Sequence, residues 1–273
     1  MNPADTSLGN KLSTTQLRFT VYGFGGGQVG TPCTQSVVAG ANAGTGNTAA
    51  TPCAFSLSAG DPYTIKIELL QNGYYVAGDE DAAVTVSLPG TGFTTGGGWL
   101  NEPNLGTRSN FGFNVKRQKN GSVQGNSLYI YRKTVAANTV PLSNGGYLPA
   151  GDYNWQIKSN SWSGGGMSLN AGCNTTTNPF TNCIGTFSGK ANIQAMSRTT
   201  GAVYSLGGNY NYRVDVTDNG EPGSKAAAIA DTYGIKVWSD TGGTYYQLYN
   251  GTPPTSSQFP QLSLNGGNIQ VRP

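Results

Sequence analysis

The chain has no histidine in 273 residues. That absence removes Ser-His-Asp and Cys-His nucleophile systems, most zinc sites and ordinary imidazole acid–base catalysis. Charge is scarce too: Asp, Glu, Lys and Arg make up 11% of the residues, against about a quarter in an average domain. A coiled coil needs charged flanks and a disordered tail needs net charge, so neither fits. No apolar run reaches about 18 residues, so no segment reads as a membrane span. Sixteen bases against thirteen acids leave +3, too weak a field for a nucleic-acid partner. Paired carboxylates remain available for glycoside hydrolysis, but the balance favours a protein that is not an enzyme.

What is plentiful is glycine (41), proline (14) and tyrosine (15). With 36% hydrophobic residues, such a chain buries a thin core wrapped in many turns. Apolar and polar residues alternate over 17–22, 63–70, 83–88, 110–117, 127–133, 152–159, 184–193, 210–217, 233–239, 244–249 and 268–271, the period of half-buried strands. Asn-Gly pairs begin at Asn72, Asn120, Asn144, Asn219, Asn250 and Asn265 and suit type I′ hairpins, whose central residues take positive φ. Only 225–230 looks helical, for a turn or so. The expected fold is all-β and mostly antiparallel. A glycine-rich stretch at 89–98 reads as a boundary. It would separate an Ig-like β-sandwich over 17–91 from a larger β-sandwich, jelly-roll-like, over 92–273. Residues 1–16 are polar and read as a possible donor strand.

Cysteines fall into two local pairs, Cys33 with Cys53 and Cys173 with Cys183, each flanking a Gly-, Thr- and Asn-rich loop. Thiolate metal sites need CxxC-type spacing, which is missing. Two disulfides are therefore expected, each worth roughly 3 kcal/mol by loop closure, and with them an extracellular or cell-surface location.

The order of residues resembles a known arrangement. A Tyr63-Thr-Ile-Lys-Ile67 strand, Tyr74-Tyr75 and Val84-Thr-Val86 lead directly into Phe93-Thr-Thr-Gly-Gly-Gly-Trp99. Then follow Asn110-Phe-Gly-Phe113 with Lys116, Trp155, Gly185-Thr-Phe-Ser-Gly189 with Ile193, Tyr212-Arg-Val-Asp215 through Gly223, the stretch from Asp231 to Trp238, and Gly266-Gly-Asn-Ile-Gln-Val271. This resembles a bacterial extracellular Ig-like repeat followed by the C-terminal domain catalogued as post-COAP-1. The resemblance covers most of 92–273 and departs from the pattern at 134–150 and at the Cys173–Cys183 loop. It implies a module of a long secreted or surface protein and carries no catalytic residues.

Several motifs have both a sharp and a bland reading. Asp218-Asn-Gly-Glu221, with Asp215 before it and Asp231 after it, gathers oxygen ligands that would suit calcium. The bland reading of Asp215, Asp218, Asn219, Glu221 and Asp231 is a hairpin capping its own turn. Gly78-Asp-Glu-Asp81 reads as a solvated turn. Arg108, Lys116, Arg117, Lys119, Arg132 and Lys133 read as a solvated sheet face or a patch for an anionic glycan or acidic subunit. Lys66, Lys116 and Lys190 on apolar strands read as solvent-facing rather than isopeptide-forming. Trp99, Trp155, Trp162 and Trp238 read as core, and Tyr245, Tyr246 and Tyr249 as exposed.

The function that follows is a non-catalytic secreted or surface protein, adhesin-like or a filament subunit. Its partners would be copies of itself, joined head to tail through a strand carrying Leu17, Phe19 and Val21, or surface glycans. The alternatives are a glycan-binding module and a glycosidase using a pair such as Asp152 and Asp231.

Overall fold

The computed structural model describes residues 15–39, 46–48, 52–70, 78–86, 92–102, 105–169, 173, 183–220, 230–248 and 261–273. These form strands and turns with no helix, and every strand pair is antiparallel. The strands are β1 Gln16–Tyr22, β2 Gln28–Ala39, β3 Gly46–Thr48, β4 Pro62–Leu70, β5 Glu80–Thr85, β6 Phe93–Glu102, β7 Thr107–Arg117 and β8 Val123–Val135. They continue with β9 Gly151–Leu169, β10 Cys183–Ser197, β11 Val203–Asp218, β12 Thr232–Trp238, β13 Thr244–Leu248, β14 Leu262–Ser263 and β15 Gly266–Arg272.

Two sheets result. The first has the order β3-β2-β1-β4-β5. The second runs β13-β12-β11-β10-β9-β8-β7-β6-β15, with β14 beside β12. Period-2 patterning drives the larger sheet: β10 alternates buried and half-exposed residues along nearly its whole length, placing Phe187, Ala191, Ile193 and Ala195 on one buried face. The tight turn after β7 uses the Asn120–Gly121 pair, where Gly121 takes φ 83° and its N–H bonds to the Gln118 carbonyl. Only glycine or asparagine adopts that conformation at low cost.

The larger sheet curls until its ends meet. β14 pairs with β12 at one end and β15 pairs with β6 at the other, and only Leu264 and Asn265 lie between β14 and β15. The backbone N–H of Leu264 bonds to the Asp231 carbonyl and that of Asn265 to the Trp99 carbonyl. Aromatic rings fill the interior. Phe111 stacks on Tyr233 at 4.2 Å, Tyr129 stacks on the same ring at 5.8 Å, and Tyr131 stacks on Tyr246 at 4.3 Å. Each such pair adds about 0.5–1.5 kcal/mol beyond its area burial.

Within the stretch 89–98 read as a boundary, β6 starts at Phe93 and carries three glycines into the sheet. A Cβ on Gly96 would meet Ile269 and Phe113 at 2.9 Å, and one on Gly98 would meet the Gly266 carbonyl at 2.5 Å. Glycine here marks close packing on both faces of a strand rather than flexibility. Gly266 in turn lies against the Trp99 indole, where a Cβ would stand 2.4 Å from Nε1. Trp155 is core at 2% exposure. Trp99 and Trp238 are half-buried beneath Arg108 and Lys236, and Trp162 packs against the core edge. Tyr245 and Tyr246 are not exposed; both pack on the core. Tyr249 and the helix-like 225–230 lie outside the described residues.

The first sheet packs its β4 and β5 on β6, β7 and β8. Among the described residues the N-terminal part is this one sheet, and the larger sheet is the layer it packs against.

Candidate functional site at the seam between the sheets

The richest cluster of polar chemistry lies where β5 meets the larger sheet. Residues Asp81, Ala83 and Thr85 share one face of β5 by strand periodicity. The last two, with Pro62, sit over Gly112: a Cβ there would stand 2.6 Å from Thr85 Oγ1, 3.3 Å from Pro62 and 3.5 Å from Ala83. The missing side chain lets β5 approach closely enough to bury Asp81, which is 1% exposed.

Arginines clamp the acidic run from the other side. Arg132 Nε donates to Glu80 Oε2 at 2.7 Å and its NH2 to the Asp81 carbonyl at 2.9 Å, while NH1 reaches the Arg108 carbonyl. Arg198 bonds Glu80 Oε1, its Nε donates to the Asp79 carbonyl at 3.0 Å, and the Asp79 N–H returns a bond to the Arg198 carbonyl at 2.8 Å. Asn110 Nδ2 adds a bond to the Asp81 carbonyl at 3.1 Å. On the neighbouring β4, Lys66 Nζ sits 2.9 Å from both Asp79 Oδ2 and Glu68 Oε1, and Arg18 grips Glu68 with two nitrogens. The hydrogen bonds from Arg18 hold the Glu68 carboxyl below its ordinary range, against the opposing effect of burial.

Behind the clamp an amide relay orients Asp81. Gln194 Nε2 donates to Gln156 Oε1 at 2.7 Å, and Gln156 Nε2 donates to Asp81 Oδ2 at 3.0 Å. Asn154 stands beside the same carboxyl and, like Gln156, stabilises its charged form. Burial pushes the Asp81 pKa up to about 6, opposed by Gln156, Asn154 and Arg132. Burial lowers the ammonium pKa of Lys158, with the Asp81 charge opposing it. A cavity of about 190 Å³ opens on these groups, lined among others by Tyr22, Thr64, Asp81, Gln156, Lys158 and Val203.

These findings correct three readings. Asp79, Glu80 and Asp81 form an ionic seam with Asp81 buried and Glu80 half-exposed, not a solvated turn; Arg132 is buried rather than on a solvated face; and Lys66, 14% exposed at its side chain, faces a carboxylate pair rather than solvent. Lys190 does face solvent, paired with Asp240 at 2.6 Å. The available signal was phase, because Asp81 stands in register with Ala83 and Thr85 on an alternating strand. Glu102, which the sequence did not single out, is wholly buried and accepts a 2.5 Å bond from Tyr246 Oη.

The acidic loop residues form a latch on β15. One edge of β15 pairs with β6. On the other, the Ile269 N–H donates to Asp231 Oδ2 at 2.7 Å and the Val271 N–H to Asp218 Oδ2 at 2.9 Å. Asp231 Oδ1 also accepts the Asn219 N–H at 2.8 Å, Asp218 accepts from Gly220 and Arg272, and Asp215 from Thr186 and Arg213. Calcium would share these oxygens with N–H donors. Glu221 lies outside the described residues, and among those described no group of three or more His, Cys, Asp or Glu is placed to hold a metal ion.

Asp152 is exposed at the start of β9, bonded by Thr134 Oγ1. Asp231 lies at the far end of the sheet, as the registers of β9 through β12 require. The 19 residues of β9 put on the order of 50 Å between those ends at ~3.3 Å per residue. Glycosidase carboxylates stand about 5–10 Å apart, so this pair does not form a catalytic dyad. Leu17, Phe19 and Val21 lie on β1, bonded by β2 on one side and β4 on the other; both of its edges are occupied within the chain. Cys33 is joined to Cys53 and Cys173 to Cys183, which fits an oxidising, extracellular environment. No helix among the described residues is long and apolar enough to cross a membrane. Compared with known proteins, the chain matches no family model, no curated protein and no solved structure.

Proposed function

We propose that this chain is a non-catalytic structural module of the extracellular space, an adhesin-like or filament-forming unit that associates with copies of itself. The observation that carries the proposal is the seam. Clustered charges of the kind an active site would use are here spent tying β5 to β7, β8 and the turn after β10, through Glu80, Arg132, Arg198 and Asn110. Such a joint turns two sheets into one stiff body, which suits a unit that spans distance or bears load. The resemblance to an Ig-like repeat followed by a post-COAP-1-type domain points the same way. Low charge lets neighbouring copies meet without desolvating ions. Among the described residues β3 and β13 end their sheets, and a strand from the leading residues 1–14 of another copy would extend either by ladder hydrogen bonds. Negative-stain microscopy of the full chain and of a chain beginning at Thr15 tests the proposal. Filaments or ordered oligomers are expected for the full chain and their loss on truncation; monomers at every concentration of the full chain would refute assembly.

A further inference from the structure

We propose that the β7–β8 hairpin carries a binding groove for an acidic polysaccharide, held by Lys116, Arg117 and Lys119 together with the amide and hydroxyl groups beside them. The inference goes beyond the assembly reading and does not rest on it.

Charge is scarce in this chain, at 11% of residues, yet three bases fall within the four positions 116–119. The six bases that the sequence groups together divide in the structure. Arg108, Arg132 and Lys133 lie at one end of the β7–β8 pair, where Arg132 is committed to the seam and Lys133 stands over the Trp155 ring at 5.2 Å. Lys116 and Arg117 lie at the other end, opposite Gln124 and Val123. Eight residues of strand separate Arg108 from Lys116, ~27 Å at ~3.4 Å per residue. Arg117 and Lys119 are exposed and Lys116 is half-buried. Among the described residues none of these three joins an ion pair. Arg117 donates from one nitrogen to the Met167 carbonyl, which steadies the guanidinium and leaves its remaining donors uncommitted among the described residues.

A groove of about 850 Å³ opens on these cations and is lined also by Gln118, Asn120, Ser122 and Gln124. Its frame is fixed by the turn: the Gln118 N–H bonds to the Ser122 carbonyl at 2.8 Å, and Asn120 Oδ1 accepts from the Ser122 N–H at 3.0 Å. Among the described residues no carboxylate, aromatic ring or large apolar side chain lines the groove. Composition then selects the occupant. Cationic walls call for an anion. Without a ring there is no platform for stacked bases, and without an apolar centre there is little for a protein interface to bury. A polymer of hydroxyls bearing acids at intervals meets both conditions. The planar Arg117 fork matches two oxygens of a carboxylate or sulfate, while the neighbouring amides and hydroxyl suit the sugar hydroxyls. The volume falls within the ~300–1,000 Å³ of ligand sites, room for a few sugar residues.

Calorimetric titration of the full chain with tetragalacturonate, and separately with a chondroitin sulfate tetrasaccharide, tests the proposal; the two probes tell carboxylate from sulfate recognition. Binding of at least one is expected, weakening as salt rises and falling about tenfold or more in Arg117→Gln/Lys119→Gln. The matched variant Arg108→Gln/Lys133→Gln removes the same charge from the far end of the strands and should bind as the parent does. Thermal melting verifies each fold, and Lys119→Gln alone, in an exposed turn, decides the matter should the first double variant not fold. Binding of neither tetrasaccharide overturns the proposal. So do equal losses in the two double variants, which would make net charge the cause. Equal affinity for a four-residue thymidine oligonucleotide, the response of a site that takes any polyanion, overturns it as well.

Discussion

At Asp81 a carboxyl group is buried, with Gln156 bonded to one oxygen and Asn154 beside it. Its pKa is pushed from 3.8 to about 6, so the folded chain binds the proton more tightly than the unfolded chain. The stabilisation belongs to the protonated form. It is complete below the unfolded pKa of 3.8 and is lost as pH rises through about 6. The gap is worth about 3 kcal/mol. Facing groups are Lys66 from β4, Arg132 from β8, and Asn154, Gln156 and Lys158 from β9. Replacing Asp81→Asn removes the charge that burial opposes. Denaturant unfolding at about pH 4.5 and about pH 7.5 should show the variant gaining about 2–3 kcal/mol on the parent chain at the higher pH and little at the lower. An identical pH dependence in both chains would refute the assignment. Other carboxyls, Glu68 among them, titrate alike in both chains and cancel in the comparison.

Glycine decides how closely strands approach. Gly112 pairs with Gly97 across β6 and β7 and lies beneath β5. Adding a methyl in Gly112→Ala drives it against Thr85 Oγ1 at 2.6 Å, on a β-branched side chain with few rotamers to escape into. A cost of about 1–3 kcal/mol is expected, and Thr85→Ala in the same chain should recover part of it, a coupling that a double-mutant cycle reads directly. Additive losses would mean that β5 does not rest on Gly112. The latch on β15 yields a second prediction at this scale. Asp231→Ala strips acceptors from the N–H groups of Asn219 and Ile269, both buried bonds to a charged group. A loss of about 3 kcal/mol is expected, smaller for Asp231→Asn, which retains one acceptor. Because N–H donors already occupy these carboxylates, EDTA should leave the melting temperature unchanged; a fall on chelation restores calcium to the loop. Alternation of residue types made β1, β4, β7, β8, β10 and β12 legible from sequence. Among them only β10 alternates in burial along its length, while β7 and β8 bury consecutive residues on both faces. β6 was hidden because three glycines carry no periodicity. The latch was half legible: its acids stood out by type, but their partners are backbone N–H groups on a strand roughly 50 residues away, which no local pattern displays.

For the molecule as a whole, the question is whether the two sheets fold as one unit. An N-terminal domain independent of its neighbour would unfold separately from it, and a strand's period does not reveal what covers it. The seam gives the answer physical content. Arg132 is 10% exposed at its side chain and bonds Glu80, the Asp81 carbonyl and the Arg108 carbonyl together. Truncating it leaves two carbonyls and a carboxylate short of a donor. The half-exposed Glu80, 40% accessible, is worth little by itself, so most of the loss comes from the buried bond to the Asp81 carbonyl. Arg198 supports the same glutamate and exchanges backbone bonds with Asp79 that survive truncation of its side chain. Calorimetry of the intact chain should therefore show one transition, with calorimetric and van't Hoff enthalpies equal. In Arg132→Ala/Arg198→Ala the first sheet loses its arginine hold on the second, keeping the Asn110 and Gln156 bonds to Asp81, while both aromatic and aliphatic cores stay intact. That variant should melt in two steps, the first sheet at lower temperature and the curled sheet near the parent value. Two transitions in the unmodified chain would mean that the seam is too weak to couple the sheets. A single unshifted transition in the double variant would mean that apolar packing of β4 and β5 on β6–β8, rather than the ionic clamp, makes the body rigid.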